Sequence, residues 1–303
     1  MSAERVSYPD PKTLDDFAKA TGLRLALVIR DIVRIAEIFN LLDEEFLGAQ
    51  AVLTGGMALR LFASTRVSIR DFDVSVVGKG SALTIEELER LLEYEDPQVT
   101  IAPSQPGGWT RRDLYQAKPL IFEQRFNPVV LADNDSWISA DVSLRGLELK
   151  PVPMNFIHGY PFTLGVEDEW VDVMDPLEIL AEKSVSYGVY RLSKHLADLA
   201  YMATTLPKWL GDDDWLERNA EEIRRIAQVK FDANLERNPK KLEEQGIGSF
   251  DDMRESFEHP DRFGVETAWN ASVFFHGRAA ELFTYETAVR WVNRRIVPVL
   301  WLE

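Results

Sequence analysis

The stretch VLTGGMALRLFASTRVSIRDFDVSV, residues 52–76, decides how this chain is read. Ala51–Thr54 is a short apolar run that ends at Gly55-Gly56, and Met57–Ala63 has helix-forming composition. Phe72, Val74 and Val76 then alternate with Asp71, Asp73 and Ser75, which predicts a strand over Phe72–Val77. Two carboxylates at i and i+2 on a strand point to one face. Such close like charges repel, so the pair is costly unless a cation lies between them. Mg²⁺, or Mn²⁺ in its place, takes oxygen ligands and keeps waters that substrate phosphates can replace. At Gly55-Gly56 backbone N–H groups are open to a phosphate, and the following helix N-terminus favours the same anion. Taken singly, Asp-x-Asp is usually a solvated strand face and Gly-Gly a turn. In the order strand, Gly-Gly, helix, Asp-x-Asp strand, they predict a grip on a nucleoside triphosphate and its metals.

Working outward, residues 13–22 read as a short helix. Leu23–Leu42 reads as a longer one, with apolar residues at three- and four-residue steps. Thr84-Ile85-Glu86-Glu87 resembles a capping box opening a helix to about Tyr94. Strands are predicted at Gln98–Ala102, Pro119–Phe126, Trp137–Leu144, Tyr160–Leu164 and Trp170–Val173, with a loop over Pro103–Arg112. Asp175-Pro176-Leu177-Glu178 is a helix start, and nearly everything after it is helical in pattern. The expected fold class is therefore α+β: a mixed-sheet domain over residues 1–172, then a helical domain over 173–303.

Composition narrows the chemistry. The 303 residues include no cysteine, which removes disulfides, zinc–thiolate sites and thiol nucleophiles. Neither a basic-then-apolar leader nor an apolar run of about 18 residues is present, so a cytoplasmic protein without membrane association is expected. The net charge of −16 argues against a general nucleic-acid coat. Against that background Ala51–Gly80 holds four basic residues (Arg60, Arg66, Arg70, Lys79) and two acidic ones. Ala181–Lys208 likewise holds Lys183, Arg191, Lys194 and Lys208 against Glu182 and Asp198. Two local cationic segments suit a phosphate-bearing ligand held at one place.

VLTGGMALRLF followed by RVSIRDFDVSV resembles the DNA polymerase β-type nucleotidyltransferase superfamily. Within it, the likeness is to the AbiEii/AbiGii abortive-infection toxins, which include the MenT toxins. That resemblance assigns Gly55, Gly56, Arg66 and Ser68 to nucleotide binding and Asp71 and Asp73 to metal binding. The Arg66–Asp71 interval is slightly longer than the family pattern. The resemblance also implies a third carboxylate on a neighbouring strand, and Asp141 is the candidate. An aspartate inside the apolar run WISADVSL is costly unless paired or metal-bound. The bland alternative is a solvent-facing edge shared with Ser139 and Ser143. Asp133 and Asp135, in a loop-like stretch, are weaker candidates.

The segment PLEILAEKSVSYGVYRLSKHLADLAYM resembles the toxins' helical region. Lys183 matches a phosphate-contacting lysine, with Arg191 and Lys194 as further nucleotide-binding cations and Asp198 as a catalytic-site carboxylate; His195 stands where the family often has Asp. Arg191, Lys194, His195 and Asp198 fall at i, i+3, i+4 and i+7, which predicts one shared helix face on which Asp198 orients Lys183 or an arginine. The alternative is an exposed helix with a weak Lys194–Asp198 pair. Trp209, Trp215, Trp269, Trp291 and Trp301 read as core residues.

The expectation is a Mg²⁺-dependent enzyme that moves NMP from an NTP to an acceptor hydroxyl. By resemblance the acceptor is the tRNA 3′ end and the protein is the toxin partnered by a cognate antitoxin; the acidic composition keeps a small-molecule or protein acceptor open. A noncatalytic nucleotide-binding module and a γ-phosphate transferase are the competing readings.

Overall fold

The structure is a computed structural model. It describes residues 9–29, 32, 49–62, 71–78, 94–95, 99–103, 111–112, 116–117, 120–126, 137–143, 147–155, 165, 170–272, 274–275 and 278–301. The chain divides into two compact units, Met1–Met174 and Asp175–Glu303.

In the first unit, α1 (Pro11–Thr21) begins where the Asp10 carboxylate accepts the N–H groups of Lys12 and Thr13, each at 3.0 Å. It ends at Gly22, whose φ of 72° reverses the chain. The aspartate cap starts the helix two residues before the predicted position. Of the predicted Leu23–Leu42 helix, residues 25–29 and 32 are helical, Leu23 and Arg24 precede the helix as coil after the Gly22 reversal, and the remainder lies outside the described residues.

The strands are β1 (Ala49–Leu53), β2 (Asp71–Gly78), β3 (Tyr94–Glu95), β4 (Val99–Pro103), β5 (Arg111–Arg112), β6 (Gln116–Ala117), β7 (Leu120–Phe126), β8 (Trp137–Ser143), β9 (Val152–Asn155) and β10 (Trp170–Val173). One sheet has the order β3-β4-β7-β8-β2-β1-β10-β9, and β5 pairs with β6. The large sheet is mixed: β1 runs parallel to β10 and β2 parallel to β8, and its other pairings are antiparallel. The predicted strands at 51–54, 72–77, 98–102, 119–126, 137–144 and 170–173 are present with small end shifts. Arg111-Arg112 closes the expected loop as a paired strand. Strand β9 is absent from the sequence reading because Pro153 interrupts it. At the sheet edge a residue without an N–H is tolerated. The Tyr160–Leu164 strand and positions 84–93 of the capping-box helix lie outside the described residues; Tyr94 itself opens β3.

Helix α2 (Gly55–Phe62) follows β1 directly and packs against β2. Met57, Ala58, Leu59, Leu61 and Phe62 are all buried, as are Val52 and Leu53 of β1. A helix apolar on most sides belongs in a core, and this burial anchors the Gly-Gly turn.

The second unit is helical. Its main elements are α3 (Pro176–Tyr190), α4 (Ser193–Thr204), α5 (Ala220–Arg237) and α6 (Tyr285–Arg295). Asp175 caps α3, accepting the Leu177 N–H at 2.8 Å, with Pro176 in the first turn. Helix α3 packs against both α4 and α5, which explains its burial nearly all round. The fully buried Glu178 carboxylate pairs with Lys230 of α5. Phe231, Phe250, Phe257 and Trp301 form an aromatic cluster with neighbouring ring centroids 5.2–5.9 Å apart. Trp269 and Trp301 are buried as expected. Trp215 is instead half-buried, and Trp209 and Trp291 are exposed. Among the described residues, no helix is long and apolar enough to cross a membrane.

Candidate active site

Strand β1 and β2 are antiparallel neighbours with Leu53 opposite Val74. Just past that pair the Thr54 N–H donates to the Asp73 carbonyl at 3.0 Å. The backbone of Asp73 is thereby held beside the point where β1 turns into α2. Gly55 makes that turn with φ of 60°, a left-handed conformation suited to glycine. A Cβ on Gly55 would lie 2.6 Å from Asp73 Cγ and 2.8 Å from Asp73 Cβ. The Gly56 N–H donates to Asp73 Oδ2 at 3.3 Å. A Cβ on Gly56 would meet nothing within 4 Å. The two glycines, read alike from the sequence, thus have unlike surroundings.

On the other side of β2, the parallel strand β8 sets Asp71 opposite Ser139, Asp73 opposite Asp141, and Ser75 opposite Ser143. Asp71 and Asp141 are placed by their backbones, with Asp141 at the register position of Asp73. Asp73 is half-buried and Ser75 is buried. Arg66, Ser68, Asp133 and Asp135 lie outside the described residues.

In the helical unit, Lys183 of α3 and Asp198 of α4 form an ion pair, Nζ to Oδ2 at 2.9 Å. Asp198 is fully buried, so the exposed Lys194–Asp198 alternative fails on burial. Lys194 and His195 are half-buried in the first turn of α4. The shared face of Arg191, Lys194, His195 and Asp198 is corrected: the helix breaks between them. Arg191 is the C-cap of α3 with φ of 54°, and α4 begins at Ser193. Its guanidinium donates to Ser256 Oγ at 3.0 Å and to the Gln245 carbonyl at 3.4 Å, and lies 3.8 Å from the Phe263 ring centroid. Burial lowers its pKa from the ordinary arginine value, with Glu255 opposing that shift. Burial likewise raises the Asp175 carboxyl above its ordinary value, against the Leu177 N–H bond. The sequence reading did not single out Lys230. Its partner Glu178 is distant in sequence, and no local pattern links them.

The family model for the nucleotidyl transferase AbiEii toxin of type IV toxin–antitoxin systems matches residues 38–263. Among solved structures, MenT4, a nucleotidyltransferase toxin from Mycobacterium tuberculosis, is similar with a TM-score of 0.65 and 17% identity, over 98% of this chain and 91% of that one. A nucleotidyltransferase candidate from H. pylori is similar with a TM-score of 0.50 and 11% identity, over 90% of this chain and 94% of that one. At these identities the likeness is one of fold. No curated protein matches the chain. The family match spans most of the sequence, including Gly55-Gly56, Asp71, Asp73, Asp141 and Lys183. The chain belongs to the AbiEii nucleotidyl transferase toxin family and is a toxin nucleotidyltransferase.

Proposed function

We propose that this toxin transfers a nucleoside monophosphate from an NTP to the hydroxyl at the 3′ end of a tRNA, with Mg²⁺ or Mn²⁺ held by Asp71, Asp73 and Asp141. The observation that carries the reading is the parallel register of β2 and β8. It sets Asp141 opposite Asp73, with Asp71 two residues before. Three carboxylates on adjacent strands make an oxygen-only donor set, which fits a hard divalent cation. When bound, the metal would neutralise phosphate charge and favour the ionised acceptor hydroxyl.

The remaining work falls to the chain's own groups. The N-terminus of α2, where Gly56 leaves the surface clear of a side chain, provides a favourable seat for a phosphate oxygen. Lys183, oriented by Asp198, supplies a cation to the triphosphate, as the family resemblance suggests, and Lys194, Arg66 and Ser68 are assigned to the same ligand. Asp141 accepts the proton of the acceptor hydroxyl. The acceptor oxygen then bonds to the α-phosphorus, the bond from that phosphorus to the bridging oxygen breaks, and pyrophosphate leaves with the electron pair. A cognate antitoxin is the expected protein partner.

The test is labelling of total RNA with α-³²P-NTPs. Asp71→Ala, Asp73→Ala and Asp141→Ala are each expected to lower transfer on the order of 10³-fold or more. Label in protein or a small metabolite would refute the tRNA acceptor. Transfer of γ-³²P instead of α-³²P would make the protein a phosphotransferase.

A further inference from the structure

We propose that Gly55 is a positioning residue for Asp73, and that the two glycines of the turn have separate tasks. Deepening the metal-site reading above, the proposal rests on it for one of its two readouts. Three constraints meet at Asp73. Pairing of Leu53 with Val74 and the Thr54 N–H to Asp73 carbonyl bond hold the Asp73 backbone close to the turn. The Gly56 N–H draws its carboxylate toward the start of α2. The space its side chain needs is the space a Cβ on residue 55 would fill, since that atom would lie 2.6 Å from Asp73 Cγ. Real Cβ atoms essentially never approach so closely, and the backbone bonds prevent Asp73 from retreating as a unit. An alanine at 55 therefore swings the Asp73 carboxylate out of its position or opens the β1–β2 junction. Gly56 is the contrast: a Cβ there meets nothing, and its N–H survives substitution. Gly55 thus makes room for the Asp73 side chain, whereas Gly56 holds the same carboxylate through its backbone N–H and leaves the space at its own Cα open.

Two measurements on the full chain test this. In the first, Mn²⁺ binding is read by calorimetry without nucleotide. Gly55→Ala is expected to weaken it about tenfold or more, as for loss of a group that orients a ligand, while Gly56→Ala stays within about twofold of the unaltered protein. Equal Mn²⁺ affinity for folded Gly55→Ala and unaltered protein would overturn the proposal. The second is a thermal double-mutant cycle of Gly55→Ala with Asp73→Gly. The left-handed backbone strain of alanine is present in both backgrounds, so it cancels. The fall in Tm caused by Gly55→Ala is expected to shrink by about half or more when Asp73 is glycine, whereas additive falls would overturn the proposal. If the unaltered protein binds no Mn²⁺, the metal-site reading fails by itself, and the cycle still decides whether Gly55 makes room for Asp73.

Discussion

Lys183 and Asp198 form an ion pair at 2.9 Å, with the aspartate side chain wholly out of water and the lysine side chain 9% exposed. Removing water from two charges costs several kcal/mol, which close pairing offsets. Deleting one partner removes that pairing from a group that stays buried. Asp198→Ala or Lys183→Met is expected to destabilise the fold by roughly 3–5 kcal/mol in urea denaturation. The double variant Lys183→Met/Asp198→Leu is expected to recover most of that stability and still lack nucleotidyl transfer. Full transfer by the double variant would make the pair purely structural.

Arg191 carries a second, separable effect. Its left-handed backbone disfavours a side chain by roughly 1–2 kcal/mol, and its guanidinium contacts with Ser256, Gln245 and Phe263 offset this. Arg191→Ala loses the contacts and keeps the strain, whereas Arg191→Gly loses both. Both variants are expected to be less stable than the parent, with glycine better than alanine by about 1 kcal/mol in urea midpoints. An Arg191→Ala variant of unchanged stability and lowered nucleotide affinity would assign the arginine to the ligand instead.

Gly188 of α3 sits against Met253. A Cβ there would lie 2.7 Å from the Met253 Sδ and 2.8 Å from its Cβ. Alanine is the better helix former, but overpacking outweighs propensity because the Met253 Cβ is fixed to its backbone. Gly188→Ala is expected to destabilise by roughly 1–3 kcal/mol, read from thermal unfolding. A neutral or stabilising result would mean that the segment carrying Met253 shifts freely on α3.

Asp252 gives a pH signature. Its carboxylate accepts the Gly248 N–H at 2.8 Å and the Ser249 N–H at 2.7 Å. These bonds, led by that from Gly248, hold its carboxyl below the ordinary value of 3.8. A lowered folded-state pKa means the folded chain binds this proton less tightly than the unfolded chain. The stabilisation is therefore present above pH 3.8 and is lost as pH falls through the lower folded value. Asp252→Asn is expected to be less stable than the parent near neutrality, with the gap closing in acid. Urea midpoints across a pH series check this, and a gap independent of pH would contradict it.

The order strand, Gly-Gly, helix, strand was legible because each part is local: a short apolar run, a glycine pair, helix formers and a period-two alternation. Strand β9 was not legible, because Pro153 argues against a strand except at an edge, and edge position is set by the whole sheet order. The break at Arg191 was hidden for a related reason. No glycine, asparagine or proline marks it, and the arginine's unfavourable backbone is supported by Ser256, Gln245 and Phe263, all distant in sequence. Helical spacing counted across that break joined Arg191 to a face it does not share.

By itself, the sequence determined the α+β class, the glycine turn, the neighbouring Asp71 and Asp73, and the resemblance to a toxin family. These follow from short-range periodicity and from chemistry between residues close in the chain. Tertiary structure alone decided that Asp141 stands in register with Asp73, that Asp198 is buried against Lys183, and that Gly55 leaves room for a carboxylate. Each of these depends on which strands or helices become neighbours. That choice is made by burying apolar surface across the whole chain, and no local spacing encodes it.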